Sequence, residues 1–238
     1  NQRMLFDVMN PDIPPLGPQS YILLGSGPFV GTLVPAASRL AIDFKNVINQ
    51  GIGSGNCGGQ FAAEMKYAGY DHIVVFGQSK NPIYLYILNE QVYFRDASEL
   101  WGLTTWDTEN LFRKKEKDTH IKTLCIGVAG ENLVKFSLIL GDKGRAAAYG
   151  GGGAIFGSKK LKAIAIRGTK YPVRVAHPND LFRKVINFNK NVINKSKTIQ
   201  MRRKGGTLLS YLAAGENSPH GVRNMGDGFW PNEKINQI

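Results

Sequence analysis

Acidic residues, cysteines and long apolar runs are scarce in this chain of 238 residues. Its 18 Asp and Glu residues are outnumbered by 30 Lys and Arg residues, and the formal net charge of +12 predicts an anionic ligand or partner. No stretch approaches the roughly 18 apolar residues of a membrane-spanning helix. We therefore expect a protein without a membrane span.

The two cysteines, Cys57 and Cys125, are far apart in the sequence. They form neither a disulfide framework nor a closely spaced metal-ligand pair, and their scarcity indicates a reducing, cytoplasmic location. The sequence also lacks a Walker P-loop and a complete dinucleotide-binding fingerprint. Because no nucleic-acid-binding motif is present, we expect no nucleic-acid partner.

Glycine is abundant in two segments, residues 51–59 (GIGSGNCGG) and 144–153 (GRAAAYGGGG). Each segment leads into an apolar strand that ends in glycine, at 72–77 and 161–168. Glycine permits positive φ and close approach of another group, and backbone N–H groups in a turn before a helix bind anions. One interpretation is a motif used twice around a phosphate-bearing ligand; the other is a pair of tight turns between strands.

The apolar pattern predicts a strand-rich region up to about residue 173. Expected strands are 21–24, 72–76, 83–88, 92–95, 122–127, 134–140 and 161–166, and expected helices are 61–68 and 105–117. After residue 173 the pattern becomes helical, with helices expected from residue 178 and over 207–214. We predict a domain boundary at this change.

Several motifs, in order along the chain, resemble those of the aldehyde:ferredoxin oxidoreductase family. Residues 56–71 (NCGGQFAAEMKYAGYD) are similar to the family signature N-S-G-G-x-F-x-x-E-L-K-x-A-G-Y-D. Further similar segments are 82–86, 95–102, 127–136, 144–147 and 157–165. The resemblance is collinear over about residues 20–225.

The resemblance implies an α+β fold in which two packed β-sheets are related by a pseudo-two-fold internal repeat. Residues 1–173 would form this pterin-binding N-terminal domain, truncated at its start, and residues 174–238 the incomplete beginning of an all-α domain. The implied cofactor is a tungstopterin, in which two molybdopterin molecules chelate tungsten or molybdenum. Mg²⁺ would bridge their phosphates.

By motif, the backbone carbonyls of Asn56 and Ala146 would bind the Mg²⁺. The full set of expected cofactor-binding residues is Arg39, Asn56, Cys57, Gly58, Gly59, Arg145, Ala146, Gly151, Gly152 and Gly153. Three positions depart from the family pattern: Cys57 replaces Ser, and Ala148-Tyr149 replaces Gly-Arg. We interpret Cys57 as a small buried side chain rather than a ligand, and we expect no catalytic residue in this chain.

The resemblance further implies oxidation of aldehydes to carboxylic acids, with electrons passing through a [4Fe–4S] cluster to ferredoxin or a similar carrier. The chain lacks the family's cluster cysteines, so we expect this part alone to be inactive. The basic residues in 181–215 are expected to form either a solvated helix face or a docking surface for an acidic carrier.

Two alternatives stay open: a reductase of aromatic acyl-CoA rings from the same family, and a non-catalytic pterin-binding remnant. A second copy of the chain or separate electron-transfer subunits are further expected partners.

Overall fold

A computed structural model describes residues 1–170, 172–208, 226 and 233. The chain divides into two compact units, residues 1–174 and 175–238. The first unit contains five helices in its described residues: α1 (Gln2–Val8), α2 (Phe61–Tyr67), α3 (Thr105–Glu116), α4 (Val128–Glu131) and α5 (Gly152–Ser158). Its strands form two sheets, so the predicted α+β class with two sheets is confirmed.

The first sheet, sheet A, has four antiparallel strands: β1 (Ile22–Ser26), β2 (Leu40–Lys45), β3 (Ile52–Cys57) and β4 (His72–Val75). Their spatial order is β3-β2-β1-β4. Side chains alternate between faces along a strand, and on β2 the apolar residues Leu40, Ile42 and Phe44 point into the core. The opposite face carries the polar residues Asp43, Lys45 and Ser54 together with the apolar residues Leu23 and Val74.

The second sheet, sheet B, has six strands: β5 (Ile83–Leu88), β6 (Gln91–Asp96), β7 (Lys122–Cys125), β8 (Ile139–Gly141), β9 (Arg145–Ala147) and β10 (Leu161–Arg167). Their spatial order is β6-β5-β10-β7-β8-β9. The strand β10 lies in the middle, parallel to β5 and antiparallel to β7. Its residues 161–166 are all buried, which matches a sequence that is apolar except at Lys162.

A single apolar core joins the two sheets. Ile42 and Phe44 of sheet A belong to the same buried cluster as Leu85, Leu124 and Ile164 of sheet B. A smaller cluster, including Tyr84 and Phe112, lies under α3. The helix α5 is buried along its whole length. The two sheets therefore form one packed body that fixes the loops at their edges.

Local sequence signals account for several elements. The predicted helices at 61–68 and 105–117 are confirmed as α2 and α3. The side chain of Thr104 accepts a hydrogen bond from the backbone N–H of Asp107, and Lys117 ends the helix in a left-handed conformation. The strands expected at 83–88 and 92–95 are confirmed as β5 and β6, which form a hairpin with Asn89 at φ 53° in its turn.

One strand prediction and one turn prediction were wrong. The strand expected over 134–140 begins only at Ile139, because the preceding residues form a turn in which Ser137 N–H donates to Val134 O over 2.9 Å. The glycine-rich segment 51–59, expected to be a turn, contains the strand β3, and only residues 58–60 form the turn.

In the second unit the described residues form α6 (Pro178–Phe188), a π-helical turn (Asn189–Ile193), α7 (Lys197–Gly205) and a 3₁₀ turn (Gly206–Leu208). The helix expected to start at residue 178 is confirmed. The helix expected over 207–214 falls mostly outside the described residues. Among the helices that the structure describes, none has the length and apolar character needed to cross a bilayer.

Candidate cofactor-binding site

The two glycine-rich segments meet at the edge of the packed sheets. A Cβ atom on Gly55 of β3 would lie 3.1 Å from the carbonyl oxygen of Ala148, which follows β9. Next to this contact, Asp142 Oδ2 accepts a hydrogen bond of 2.5 Å from the backbone N–H of Gln60. The carboxylate of Asp142 therefore ties the first glycine-rich turn to the second.

A cleft of about 440 Å³ opens where these segments meet, and we call it the arginine cleft. Its lining residues are Ala36, Ser38, Arg39, Gly58, Gly59, Gly144, Arg145 and Ala146. Both guanidinium-bearing residues are exposed, and among the residues that the structure describes no Asp or Glu lines the cleft. Since guanidinium donates in a planar fork that matches phosphate oxygens, the cleft is suited to an anion.

The glycines of this cleft have different roles. Gly59 has φ +93°, and a Cβ atom there would lie 2.3 Å from Asp142 Oδ2, so only glycine fits. Gly58 and Gly144 instead leave open space: a Cβ atom on Gly58 would meet only Arg39 Nη1, at 3.7 Å, and one on Gly144 would meet nothing within 4 Å. The backbone at these two positions is accessible to a ligand.

The strands β8 and β9 are joined by a tight turn in which Asp142 and Lys143 both have positive φ, at 44° and 59°. Gly144 N–H closes the turn on Gly141 O at 3.1 Å, and Lys143 N–H donates to Glu109 Oε2 at 2.8 Å. Consecutive positive φ values match the right-handed twist of a hairpin. This turn holds Gly144 and Arg145 at the mouth of the arginine cleft.

A second cleft, of about 530 Å³, lies on the outer face of sheet A. Asn56 lines this cleft, and so does Arg39. We call it the sheet cleft. Arg39, just before β2, is common to both clefts, whereas Ala146, in β9, lines only the arginine cleft. The expected Mg²⁺ ligands Asn56 and Ala146 thus line neighbouring openings on either side of Arg39.

The side chain of Cys57 points away from the cleft into the core, where it is 1% exposed. Burial, and then the nearby Asp142 carboxylate, raise the pKa of this thiol to about 11, although Arg39 acts in the opposite direction. The thiol is therefore neutral at physiological pH. Cysteine at this position packs as a small apolar side chain, and only its backbone faces the glycine turn.

The three glycines at 151–153 are accounted for by packing within the protein. A Cβ atom on Gly151 would lie 2.3 Å from Lys135 O, one on Gly152 would lie 2.9 Å from the ring of Phe44, and one on Gly153 would lie 2.7 Å from Leu138 O. The structure brings Arg39, Gly58, Gly59, Arg145 and Ala146 together in the arginine cleft, and these three glycines lie outside its lining. Their contact with a cofactor stays a prediction.

Sequence reasoning missed Asp142 and Ser38, although Asp142 begins a D-x-G turn of the kind that joins hairpin strands. In the part of the chain that the structure describes, no three or more His, Cys, Asp or Glu side chains cluster in a way that could hold a metal ion. Among the described residues, the groups that line the arginine cleft are two guanidiniums, the side chains of Ala36 and Ser38, and open backbone.

Comparison with known proteins agrees with this architecture. The sequence model described as "Aldehyde ferredoxin oxidoreductase, N-terminal domain" matches residues 1–168. The chain belongs to the aldehyde ferredoxin oxidoreductase family. It is 38% identical over 232 residues to a tungsten-containing aldehyde ferredoxin oxidoreductase of Pyrococcus furiosus, covering 96% of this chain and 38% of that protein. It is 45% identical over 167 residues to one of Thermococcus kodakarensis, covering 70% of this chain and 28% of the relative.

A solved structure is similar in fold to this chain. The BamBC active-site complex of benzoyl coenzyme A reductase, bound to 1,5-dienoyl-CoA, aligns with a TM-score of 0.78 and 28% identity, covering 99% of this chain and 37% of that one. An aliphatic sulfonate oxidoreductase subunit of Pyrococcus furiosus is 29% identical over 239 residues, covering 95% of this chain and 37% of that protein. The chain thus spans less than two-fifths of the length of each of these proteins.

Proposed function

We propose that the chain is the cofactor-binding N-terminal part of a tungsten bis-pterin oxidoreductase that oxidises aldehydes to carboxylic acids, with ferredoxin as electron acceptor. The observation that carries the proposal is the arginine cleft, where Arg39, Arg145 and two open glycines converge and none of the described lining residues is Asp or Glu. Molybdenum is the alternative metal. Membership of a family whose relatives are named as tungsten-containing supports tungsten.

The residues present fit an anionic, phosphate-bearing cofactor. We propose that Arg39 and Arg145 donate to its phosphates and that the open backbone at Gly58 and Gly144 allows close approach. The carbonyls of Asn56 and Ala146 would hold a Mg²⁺ between two phosphates, since this ion prefers oxygen ligands. The metal centre, when bound, supplies the two-electron oxidation of the aldehyde carbon, and this chain supplies position and electrostatics.

The order of elements supports a doubled binding unit. The path β3–turn–α2–β4 in sheet A is repeated as β9–turn–α5–β10 in sheet B, and each copy carries a glycine-rich turn before its helix. We propose that the sheets are related by a pseudo-two-fold axis and that each supports one pterin. Residues 1–173 would then be the cofactor-binding domain and 174–238 the beginning of a helical domain.

Electron transfer would use a [4Fe–4S] cluster bound by cysteines outside this chain, since Cys57 and Cys125 are both buried. Over residues 181–204, eight Lys and Arg side chains are all exposed: Arg183, Lys184, Lys190, Lys195, Lys197, Arg202, Arg203 and Lys204. This exposed positive charge supports docking of an acidic carrier such as ferredoxin. We propose a cytoplasmic location for the enzyme.

The proposal is tested on the complete polypeptide, produced anaerobically. One tungsten or molybdenum and about four irons per chain, with aldehyde-dependent reduction of a viologen dye, would support it. Absence of both metals would contradict it. Metal without oxidation of aliphatic or aromatic aldehydes would contradict the assigned reaction.

The likeness to benzoyl coenzyme A reductase supports a second candidate, the reduction of an aromatic acyl-CoA ring. The same preparation distinguishes the two reactions. Loss of aryl-CoA absorbance with a reduced low-potential electron donor, without activity on aldehydes, would favour the ring reductase.

A further inference from the structure

The strand β4 lies at the edge of sheet A, although its sequence is typical of a central strand. Ile73, Val74 and Val75 are apolar in succession, and Phe76 follows them. A continuous apolar run is typical of a strand that is buried on both faces. Among the strands that the structure describes, however, β4 pairs only with β1, and Val74 and Phe76 are 46% and 56% exposed. An apolar edge strand without lysine or proline is a site for pairing with a further strand.

The strand order of sheet B indicates which element pairs with this edge. Taken from its opposite end, sheet B has the order β9-β8-β7-β10-β5-β6, and its first four strands correspond to β3-β2-β1-β4 of sheet A. All three pairings within each set of four are antiparallel. The strand β4 thus corresponds to β10, whose second neighbour is β5, the first strand of a hairpin with β6. In the described part of sheet A, no strand occupies the corresponding place beside β4.

The backbone of β4 has hydrogen-bonding groups directed to this open edge. Ser26 N–H of β1 donates to Asp71 O over 3.1 Å, in line with the register of the two strands. Bonded and non-bonded pairs alternate along an antiparallel ladder. The backbone of Ile73 and Val75 therefore bonds to β1, whereas the N–H and C=O groups of Val74 point towards the open edge. These groups can bond a strand that is added there.

An apolar groove of about 460 Å³ borders the open edge of β4, and we call it the edge groove. Leu85 of β5, which belongs to the core shared by the two sheets, lines this groove together with Phe94 of β6. Phe94 pairs with Leu85 across the hairpin and lies on the same, core-facing side of sheet B. Phe94 is nevertheless 73% exposed, and Val92 on the same side is 44% exposed. The β5–β6 hairpin therefore extends beyond the described strands of sheet A.

We propose that a β-hairpin of the same polypeptide, preceding Asn1, pairs with the open edge of β4 and covers Val92 and Phe94. In sheet B the β5–β6 hairpin precedes α3, which leads into β7, and α1 leads into β1 in the same way. The hairpin's place in the chain is therefore ahead of α1. Its first strand runs parallel to β4, as β5 runs parallel to β10. The chain spans less than two-fifths of the length of its relatives, which leaves room for such a segment in the complete polypeptide.

Photo-crosslinking in the complete polypeptide tests the proposal, with p-benzoylphenylalanine in place of Phe94. This aromatic residue keeps the apolar character of the site and attaches, on irradiation, to whatever chain covers it. Mass spectrometry is expected to identify the attached peptide as one that precedes Asn1. The matched control carries the same amino acid in place of Phe136, which is 79% exposed and lies outside the lining of the edge groove. The control is expected to give no cross-link to that segment.

Several outcomes of this experiment would overturn the inference. Cross-linking of position 94 to a peptide that follows Ile238, or to a second copy of the polypeptide, would show a different occupant of the edge groove. Absence of any cross-link would show that the groove is uncovered. A complete polypeptide that begins at Asn1 would exclude the hairpin outright.

Hydrogen exchange of the complete polypeptide gives a second readout. The N–H of Val74 is expected to exchange at least about a hundredfold more slowly than an unprotected amide, because a bonded amide exchanges only when the strand opens. The N–H of Val92 also points away from its partner strand, towards the outer edge of β6, where the comparison of the sheets predicts no further strand. This amide is the control and is expected to exchange rapidly. Exchange at Val74 as rapid as that at Val92 would contradict the proposal.

The inference concerns the fold and does not depend on the proposed reaction. If the complete polypeptide contains neither tungsten nor molybdenum but position 94 is cross-linked ahead of Asn1, only the proposed enzyme is wrong. If both metal and aldehyde oxidation are found without this cross-link, only the hairpin is wrong.

Discussion

Arg167 Nη1 of β10 lies 2.7 Å from Glu64 Oε1 of α2, so an ion pair joins the helix that follows the first glycine-rich segment to the strand that follows the second. The same carboxylate oxygen accepts the backbone N–H of Gly168 at 2.9 Å. Arg167 Nε also lies 2.7 Å from Asp118 Oδ2. Arg167 and Glu64 thus connect the two copies of the proposed binding unit through the core.

We predict that Arg167→Met lowers the free energy of unfolding by about 3 kcal/mol, because it leaves the Glu64 carboxylate, whose side chain is 9% exposed, without its charged partner. Urea denaturation followed by circular dichroism measures this. Arg3→Met is the matched control, since the Arg3–Asp7 pair is exposed. This variant is expected to leave the urea concentration at the unfolding midpoint unchanged. Equal midpoints for both variants would contradict the structural role of Arg167.

A second prediction concerns the contact between α4 and α5. A Cβ atom on Gly157 would lie 1.9 Å from the carbonyl oxygen of Gly130, so Gly157→Ala must separate the two helices. We expect a loss of about 3 kcal/mol in the free energy of unfolding. Gly144→Ala adds the same methyl group where nothing lies within 4 Å, and a change within about 0.5 kcal/mol is expected there. A loss of stability for Gly144→Ala as large as that for Gly157→Ala would contradict the packing assigned to both sites.

A third prediction concerns the arginine cleft. Arg39→Ala and Arg145→Ala in the complete polypeptide are each expected to lower cofactor occupancy at limiting cofactor about tenfold, because each removes a charge-assisted hydrogen bond to phosphate. Tungsten and phosphorus per chain, measured by elemental analysis, report the loss. Lys80→Ala removes an exposed cation outside the cleft and serves as the control. Full occupancy in both arginine variants would overturn the assignment.

A fourth prediction uses the two buried thiols. Burial is the main cause that raises the pKa of Cys57 to about 11 and that of Cys125 to about 12. At pH 8 the folded chain is therefore expected to react with iodoacetamide at least about a hundredfold more slowly than the unfolded chain. Mass spectrometry of labelled peptides, with and without urea, measures both rates. Rapid labelling of Cys57 in the folded chain would contradict its place in the core.

The same pKa values have a consequence for stability. The neutral thiol is favoured in the folded state, whereas the unfolded thiols ionise near pH 8.5. The stabilisation from the neutral thiols is complete below that pH and is lost as the pH rises towards the folded pKa values of about 11 and about 12.

The elements that could be predicted from sequence are those with strong local signals. The α3 helix has a Thr104 cap and basic residues in its last turn, and the β5–β6 hairpin has Asn89 in its turn. The strand β3 was missed because its glycines are determined by distant neighbours: a Cβ atom on Gly53 would lie 2.7 Å from the ring of Phe44 on the adjacent strand. The strand propensity of a short segment does not depend on such contacts between distant residues, so it could not predict this strand.

The residues of the candidate site also differ in whether the sequence alone could identify them. Arg39 and Arg145 were identified from motifs, and both line the arginine cleft. The role of Asp142 depends instead on what lies across the turn, at the backbone N–H of Gln60. Such roles become visible only when the partners are brought together in three dimensions.

The central position of β10 in sheet B determines the order in which the chain can fold during synthesis. Sheet A is complete once β4 has been made, whereas the β5–β6 hairpin and the β7–β8–β9 meander stay unconnected until β10 emerges and pairs with both. Pairing of β10 with β5 joins strands that are far apart in the sequence, and such long-range pairing is slow. Until then the unpaired edges of β5 and β7 are prone to association with other chains. A nascent chain arrested before Leu161 would expose both edges to chaperones, and release of residues 161–167 would complete the sheet in one step.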